Sequence, residues 1–287
     1  MKISRVKQKK LNCYRKLSIR KKKEKKILLN YNNIKNGGKP IKDINLDKQY
    51  IDTTKTFWEE KIKEGIEDKW YKKALDKWAV KPASISGVLD GYISASKPDL
   101  KESSNFLDKL AKEYGKNTNK NMLNKLSNLR ALDCGAGIGR ITSGILIQRF
   151  DYVDLVEPVL HFINEAKTQL SKLGHKGNFY QISLQNFNTI EKYDCIWIQW
   201  VLGQLTDMDV VSFLKRCKNM LKPNGVIIVK ENILSKGFNI DDNYNLISRN
   251  YEDMKKIFYL SGLTLIYEEN QKDFPSYLIK VNTFALE

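Results

Sequence analysis

Three glycines alternate in Gly135-Ala136-Gly137-Ile138-Gly139, two residues behind Asp133 and just ahead of Arg140. Glycines let the backbone turn sharply and let a ligand approach the chain, so an acid, an alternating glycine turn and a base together suit a nucleotide-like ligand. A dinucleotide fingerprint spaces its glycines Gly-x-Gly-x-x-Gly and gives the next helix N-terminus to a pyrophosphate. The direct alternation here suits a ligand with an α-ammonium, an α-carboxylate and a sulfonium, which is S-adenosylmethionine (AdoMet). Asp133 would hydrogen-bond near the ammonium and Arg140 would pair with the carboxylate. Glu157 follows the run DYVDLV, 20 residues after Gly137 and next to Pro158. A strand-end acid at that distance takes both ribose hydroxyls.

Later strand ends supply the rest of a methyl-transfer site. Leu184 can lie against an adenine ring with Gln185 on its polar edge. Gln199 and Trp200 end the run YDCIWIQW, where cofactor and acceptor would meet. Transfer from a sulfonium is an in-line displacement, so the protein must align a lone pair with the methyl carbon at roughly 3 Å. An amine acceptor must also give up its proton. Trp200 offers an aromatic face to an alkylammonium or a proline ring, or else is a strand-end core residue. Asn232 can orient the nucleophile, and the loop acids Asp241 and Asp242 can pair with a cationic substrate group or simply be solvated. A base methylase would carry a polar-Pro-Pro-aromatic tetrad where this chain has IQWVLGQL, which argues against base methylation.

The elements that must hold these residues follow from periodicity. Leu129 to Leu132 is a first strand, Asp151 to Val156 a second, Phe179 to Ser183 a third, Tyr193 to Trp200 a fourth and Val226 to Ile233 a fifth. Helices are expected over Phe162–Leu173, Thr206–Leu221 and Ser248–Gly262, with Lys222-Pro223-Asn224-Gly225 as a closing turn. Leu263–Glu268 and Tyr277–Ala285 read as an antiparallel closing pair. This alternation predicts an α/β, seven-stranded, doubly wound sheet with its site at the carboxyl ends of the parallel strands. Ahead of it, Phe57, Trp58, Ile62, Ile66, Trp70, Tyr71, Leu75 and Trp78 recur at helical spacing, predicting two short amphipathic helices that stop at Lys81-Pro82. A helix over Ser103–Tyr114 completes a segment, residues 50–125, that covers the open end of the core at residues 126–287. Trp78 is the member of the aromatic stripe expected to reach the substrate.

The 287 residues carry a net charge of +17, but residues 1–50 hold 17 Lys and Arg against 3 acids. The surplus therefore belongs to an extension, residues 1–49, read as mostly disordered. It is either a nuclear-import or nucleic-acid patch or a solubilising tail. Four unpaired cysteines and two histidines predict a reduced intracellular protein without a metal site, and no apolar run is long enough for a membrane span or a signal peptide.

In these segments the chain resembles the protein alpha-N-terminal methyltransferase family, which methylates the free α-amine of proteins beginning Xaa-Pro-Lys or Xaa-Pro-Arg after initiator Met removal. The resemblance rests on LDCGAGIGRIT, SLQNF, YDCIWIQWVLGQLTD, FLKRCKNMLKPNGVIIVKENI, SGLTLI and the closing FAL, and spans Trp70 to Glu287. It implies the class I AdoMet-dependent methyltransferase fold, AdoMet contacts at Gly135, Arg140, Glu157, Leu184, Gln185 and Gln199, and a peptide channel with Trp78, Trp200 and Asn232. Asp241 would lie near the substrate's basic third residue. It also implies a protein N-terminus as partner and a cytoplasmic or nuclear monomer. Two departures stand out. Gln204 replaces the family's His before LTD, and Tyr244 replaces an acid that acts with that His on the amine. Asp242 can substitute as the base, the neutral amine can simply be selected, or the acceptor can differ. A small-molecule amine methyltransferase and a non-catalytic AdoMet-binding scaffold are the alternatives.

Overall fold

The computed structural model describes residues 54, 56–58, 61, 67–121 and 128–287. The expectation for the basic extension, residues 1–49, lies outside them.

The sheet is built from strands whose successive residues serve two cores. In β1 (Arg130–Cys134), Leu132 and Cys134 face one core and Ala131 the other; in β4 (Tyr193–Gln199), Ile196 and Ile198 face the first and Cys195 and Trp197 the second. A sheet buried on both faces needs continuous apolar strands, which is why YDCIWIQ lacks polar alternation. β2 (Tyr152–Val156) lies beside β1, and β3 is only Phe179–Tyr180, shorter than the expected run to Ser183.

The order β3-β2-β1-β4-β5 is parallel, and β5 (Leu221–Leu234) pairs antiparallel with β9 (Val281–Leu286), which in turn pairs with β8 (Leu265–Asn270). The seven expected strands and their antiparallel closing pair are therefore present. Lys222 to Gly225 is not a separating turn. It is absorbed into β5 as a bulge, with Tyr193 facing Leu221 and Cys195 already facing Val226.

Two further strands were not expected. β6 (Phe238–Asp241) and β7 (Leu246–Asn250) form an antiparallel hairpin, and β7 also pairs with Ile233 and Leu234 at the far end of β5. The helix expected from Ser248 consequently begins only at Tyr251, where Asn250 caps α7 (Tyr251–Leu260) by accepting from Asp253 N at 3.0 Å. Ile247 of the hairpin is buried with Trp58 and Trp70, and Phe57, Phe238 and Ile240 pack against them. The aromatic stripe of the N-terminal segment is thus largely the core of this hairpin.

Helix α1 (Glu67–Ala79), the single turn α2 (Ile85–Val88) and α3 (Ser96–Glu113) precede the sheet. The glycine turn leads into a π-helical turn, Thr142–Leu146, that continues as α4 (Ile147–Arg149). α5 (Leu160–Ser171) follows β2, and α6 (Asp207–Asn219), capped by Thr206, precedes β5.

Candidate active site

The strand registers bring the residues expected from the sequence level with one another. Cys134 lies beside Val156 on one side and Ile198 on the other, so Gly135, Glu157 and Gln199 emerge together at the carboxyl ends of β1, β2 and β4. That is the switch point of the sheet, where strand order reverses. A cleft of about 1060 Å³, open to solvent, lies there. Asp133, Gly135, Gly137, Arg140, Glu157, Pro158, Leu184, Gln185, Gln199, Trp200, Gln204 and Trp78 all line it. Tyr71, Ala74 and Leu75 of α1 and Val88 and Leu89 beyond it form its cover.

Gly135 and Gly137 adopt φ of 70° and 55°. A Cβ on Gly135 would come within 2.7 Å of Val201 Cγ2, so both the turn and the packing demand glycine. Glu157 holds the turn: Oε2 accepts from Gly137 N at 2.9 Å and Oε1 from Val159 N at 2.8 Å. Burial pushes its carboxyl up to about 7, against those two amides. Asp133 accepts from Thr142 Oγ1 at 2.6 Å, and burial pushes it up to about 6 despite Thr142 and Arg140.

Arg140 donates through Nη2 to Asp99 at 2.7 Å, while its buried Nη1 has no partner. An orphaned guanidinium nitrogen in a cleft with two strand-end carboxylates and a glycine turn fits the carboxylate of AdoMet. Leu184 and Gln185 are held by Arg216, which donates to their carbonyls at 2.8 and 3.1 Å and to Phe187 O at 2.9 Å.

Another wall of the cleft is the loop after β4. Trp200 has φ of 51°, a conformation that a tryptophan keeps only under constraint. Its backbone N–H donates to Lys230 O at 3.0 Å, and Glu231 Oε1 accepts from Val201 N and Leu202 N at 2.8 Å each. Arg249 donates to Leu202 O and Leu205 O, and Trp70 Nε1 donates to Gln204 O at 2.9 Å. So fixed, the loop presents Trp200 Nε1 and both side-chain polar atoms of Gln204, all buried and without partners. Arg140 lies 5.7 Å over the Trp200 ring.

Four of the expected site residues do not line the cleft. Asn232 is half-buried in β5, opposite Val281. Asp241 ends β6 and accepts from Asn243 N at 2.9 Å; Asp242 follows, exposed in the hairpin turn. The expectation of Asp242 as base therefore meets a geometric obstacle, because the unforeseen hairpin turn leaves Asp242 exposed and outside the cleft. Tyr244 stands on the rim, packed on Trp78 at 5.5 Å between ring centroids.

Two positioning residues were not expected from the sequence. Asp99 of α3 is fully buried and binds Arg140, Lys230 Nζ at 2.6 Å and Gln199 Nε2 at 2.9 Å. Against the upward pull of burial, Lys230 and Arg140 hold Asp99 below the ordinary carboxylate range. Lys230 was findable, as a cation in phase with core-facing Val226 and Ile228. Asp99 carries no such mark, being one acid in an amphipathic helix.

Residues 66–287 match the family described as AdoMet dependent proline di-methyltransferase. The chain belongs to that family. Among similar proteins, N-terminal Xaa-Pro-Lys N-methyltransferase 1-B of Xenopus laevis is 40% identical over 222 residues, 77% of this chain and 96% of the relative. Alpha N-terminal protein methyltransferase 1 of Arabidopsis thaliana is 40% identical, with 82% and 87% covered. The solved structure of a SAM-dependent methyltransferase from Leishmania major superimposes with a TM-score of 0.68 at 36% identity, covering 76% of this chain and 83% of that one. A Clostridium acetobutylicum methyltransferase, at 17% identity and a TM-score of 0.55 over 71% of this chain and 97% of its own, shares the fold. The chain is thus an AdoMet-dependent methyltransferase of class I fold, as the resemblance implied.

Proposed function

We propose that this enzyme transfers methyl groups from AdoMet to the free α-amine of proteins that begin Xaa-Pro-Lys or Xaa-Pro-Arg. The observation that carries this reading is the pair of orphaned side chains, Trp200 and Gln204, on a rigid loop beside the cofactor residues. Bound AdoMet supplies an electrophilic methyl on a sulfonium. Asp133, Arg140, Glu157, Leu184, Gln185 and Gln199, with Gly135, Gly137 and Pro158 shaping the wall, hold the cofactor. Gln204 Oε1 accepts a hydrogen bond from the amine N–H and turns the nitrogen lone pair toward the methyl, while Trp200 and Trp78 flank the substrate proline.

The amine enters neutral. Among the described residues, the titratable side chains lining the cleft are Tyr71, Asp133, Arg140 and Glu157: two are cofactor carboxylates, and burial and Asp209 raise Tyr71 well above its ordinary range. Gln204 takes no proton, so the small unprotonated fraction of the N-terminus is what reacts.

A protein N-terminus is the partner, and the enzyme acts as a monomer in the cytoplasm or nucleus. Among the described residues no helix is long and apolar enough to cross a membrane. Any nucleic-acid contact would fall to the basic extension. The deciding assay compares Xaa-Pro-Lys peptides with N-acetylated copies under labelled AdoMet. Labelling of the free peptide alone is expected, and equal labelling of both, or of neither, would overturn the reading.

A further inference from the structure

On the rim of the cleft, the hairpin turn and the segment just after α1 meet at one carboxylate. Tyr244, from the end of the hairpin turn, donates its hydroxyl to Asp90 Oδ1 at 2.9 Å. Lys81, just before the Pro82 that follows α1, is ion-paired with the same oxygen. Lys81 also sits 5.3 Å over the Tyr244 ring and Lys77 sits 5.6 Å over it. The same ring meets Trp78, which lines the cleft, and Asp90 directly follows Leu89, which also lines it. Asp90 has φ of 48° and Gly91 φ of 89°, a left-handed turn that aspartate adopts more readily than most residues.

We propose that Asp90 is the carboxylate that receives the basic third residue of the substrate, and that Lys81 holds its place until the substrate side chain displaces it. The inference rests on the N-terminal methylation reading and names the residue that reads the third position.

An extended chain advances about 3.3–3.6 Å per residue, so the third residue lies about 7 Å beyond the amine. Gln204 and Trp78 both line the cleft and Trp78 meets Tyr244 at its rim, so a peptide with its amine at Gln204 and its proline against Trp78 would carry its third residue to the Tyr244 side. There a lysine or arginine meets a cation site already assembled: a carboxylate for charge and an aromatic face for its quadrupole. Asp241, which the resemblance implies for this role, instead accepts from Asn243 N within its own turn.

The test is steady-state methylation of three peptides that differ only in the third residue, Lys, Arg or Gln, by the full chain and by D90N, K81Q and D241N. Asparagine tolerates positive φ as well as aspartate does, so D90N keeps its fold. D90N should raise KM for the Lys and Arg peptides about 5- to 10-fold and leave the Gln peptide within about twofold, the scale of a partly exposed ion pair. K81Q should lower KM for the Lys peptide, because the internal competitor is gone. A merely structural Lys81–Asp90 pair predicts the same direction of change in both variants. Unchanged discrimination in D90N, loss of discrimination in D241N alone, or a raised KM in K81Q would each overturn the proposal. If no peptide is labelled even by wild type, it is the N-terminal methylation reading that has failed.

Discussion

Asp99 on helix α3 and Arg140 at the end of the glycine turn form a buried ion pair of 2.7 Å, 41 residues apart in sequence. The pair leaves Nη1 of Arg140 without a partner, and it ties the segment ahead of the sheet to the wall of the cleft. Because Lys230 shares the same carboxylate, neutralising Asp99 strands two buried cations. Asp99→Asn should cost about 3–5 kcal/mol of stability, the usual penalty for leaving a buried charge without its partner. Urea denaturation of the two proteins measures it, and a loss below about 1 kcal/mol would show that water reaches this cluster.

The raised carboxyl of Glu157 makes cofactor binding pH-dependent. Burial pushes it up to about 7, so below neutrality the group should be increasingly protonated and offer a poorer acceptor to ribose hydroxyls. AdoMet affinity should therefore rise with pH through about 6 to 7 and level off above, with Kd changing by at most about tenfold per unit. Glu157→Gln should bind more weakly above pH 7 and flatten that slope, leaving only the rise that Asp133, pushed up to about 6, contributes at the acid end. Calorimetric titration from pH 6 to 8 reads both effects. The same burial has the opposite sign for stability: without ligand, a carboxyl raised on folding favours the native state below its unfolded pKa. That stability is lost as pH rises through about 7.

Selection of a neutral amine predicts that kcat/KM on a Xaa-Pro-Lys peptide climbs with pH toward the N-terminal amine's own pKa, near 8. Asp242→Asn should leave the profile unchanged, since the side chain lies at solvent in the hairpin turn. Gln204→His should flatten the profile above about pH 6.5 and raise the rate at neutral pH about tenfold or more, by restoring an acceptor for the proton. A drop of about 10²-fold in the Asn variant would instead make Asp242 the base.

Deletion of residues 1–49 should leave turnover on a short peptide within a few-fold. The family match begins at residue 66, and the +17 net charge is concentrated in residues 1–50. Initial rates on one peptide with both proteins test this, and loss of AdoMet binding would show that the extension supports the fold.

By itself the sequence determined which residues meet at the carboxyl ends of the parallel strands. A glycine turn, a strand-end acid and a strand-end glutamine are local features, each coupled to a strand whose apolar run is visible, and a parallel sheet brings strand ends together wherever its register is set. Asp133, Gly135, Glu157 and Gln199 needed no knowledge of distant contacts to be named. The placement of the hairpin and of Tyr244 was decided by tertiary structure. Phe238 to Asn250 is short, polar at alternate positions and interrupted by Asp241 to Asn245, so it reads as a loop. It becomes a hairpin because Trp58 and Trp70 bury Ile247, and because β5 is long enough to extend past β9 and pair with β7. That pairing puts Asp242 at solvent and sets Tyr244 on Trp78. The Asp99 cluster likewise exists only where α3, the glycine turn, β4 and β5 cross, a coincidence of four elements with no local mark in the chain. Burial then converts those placements into energies, since an ion pair or an orphaned nitrogen matters most where water is excluded.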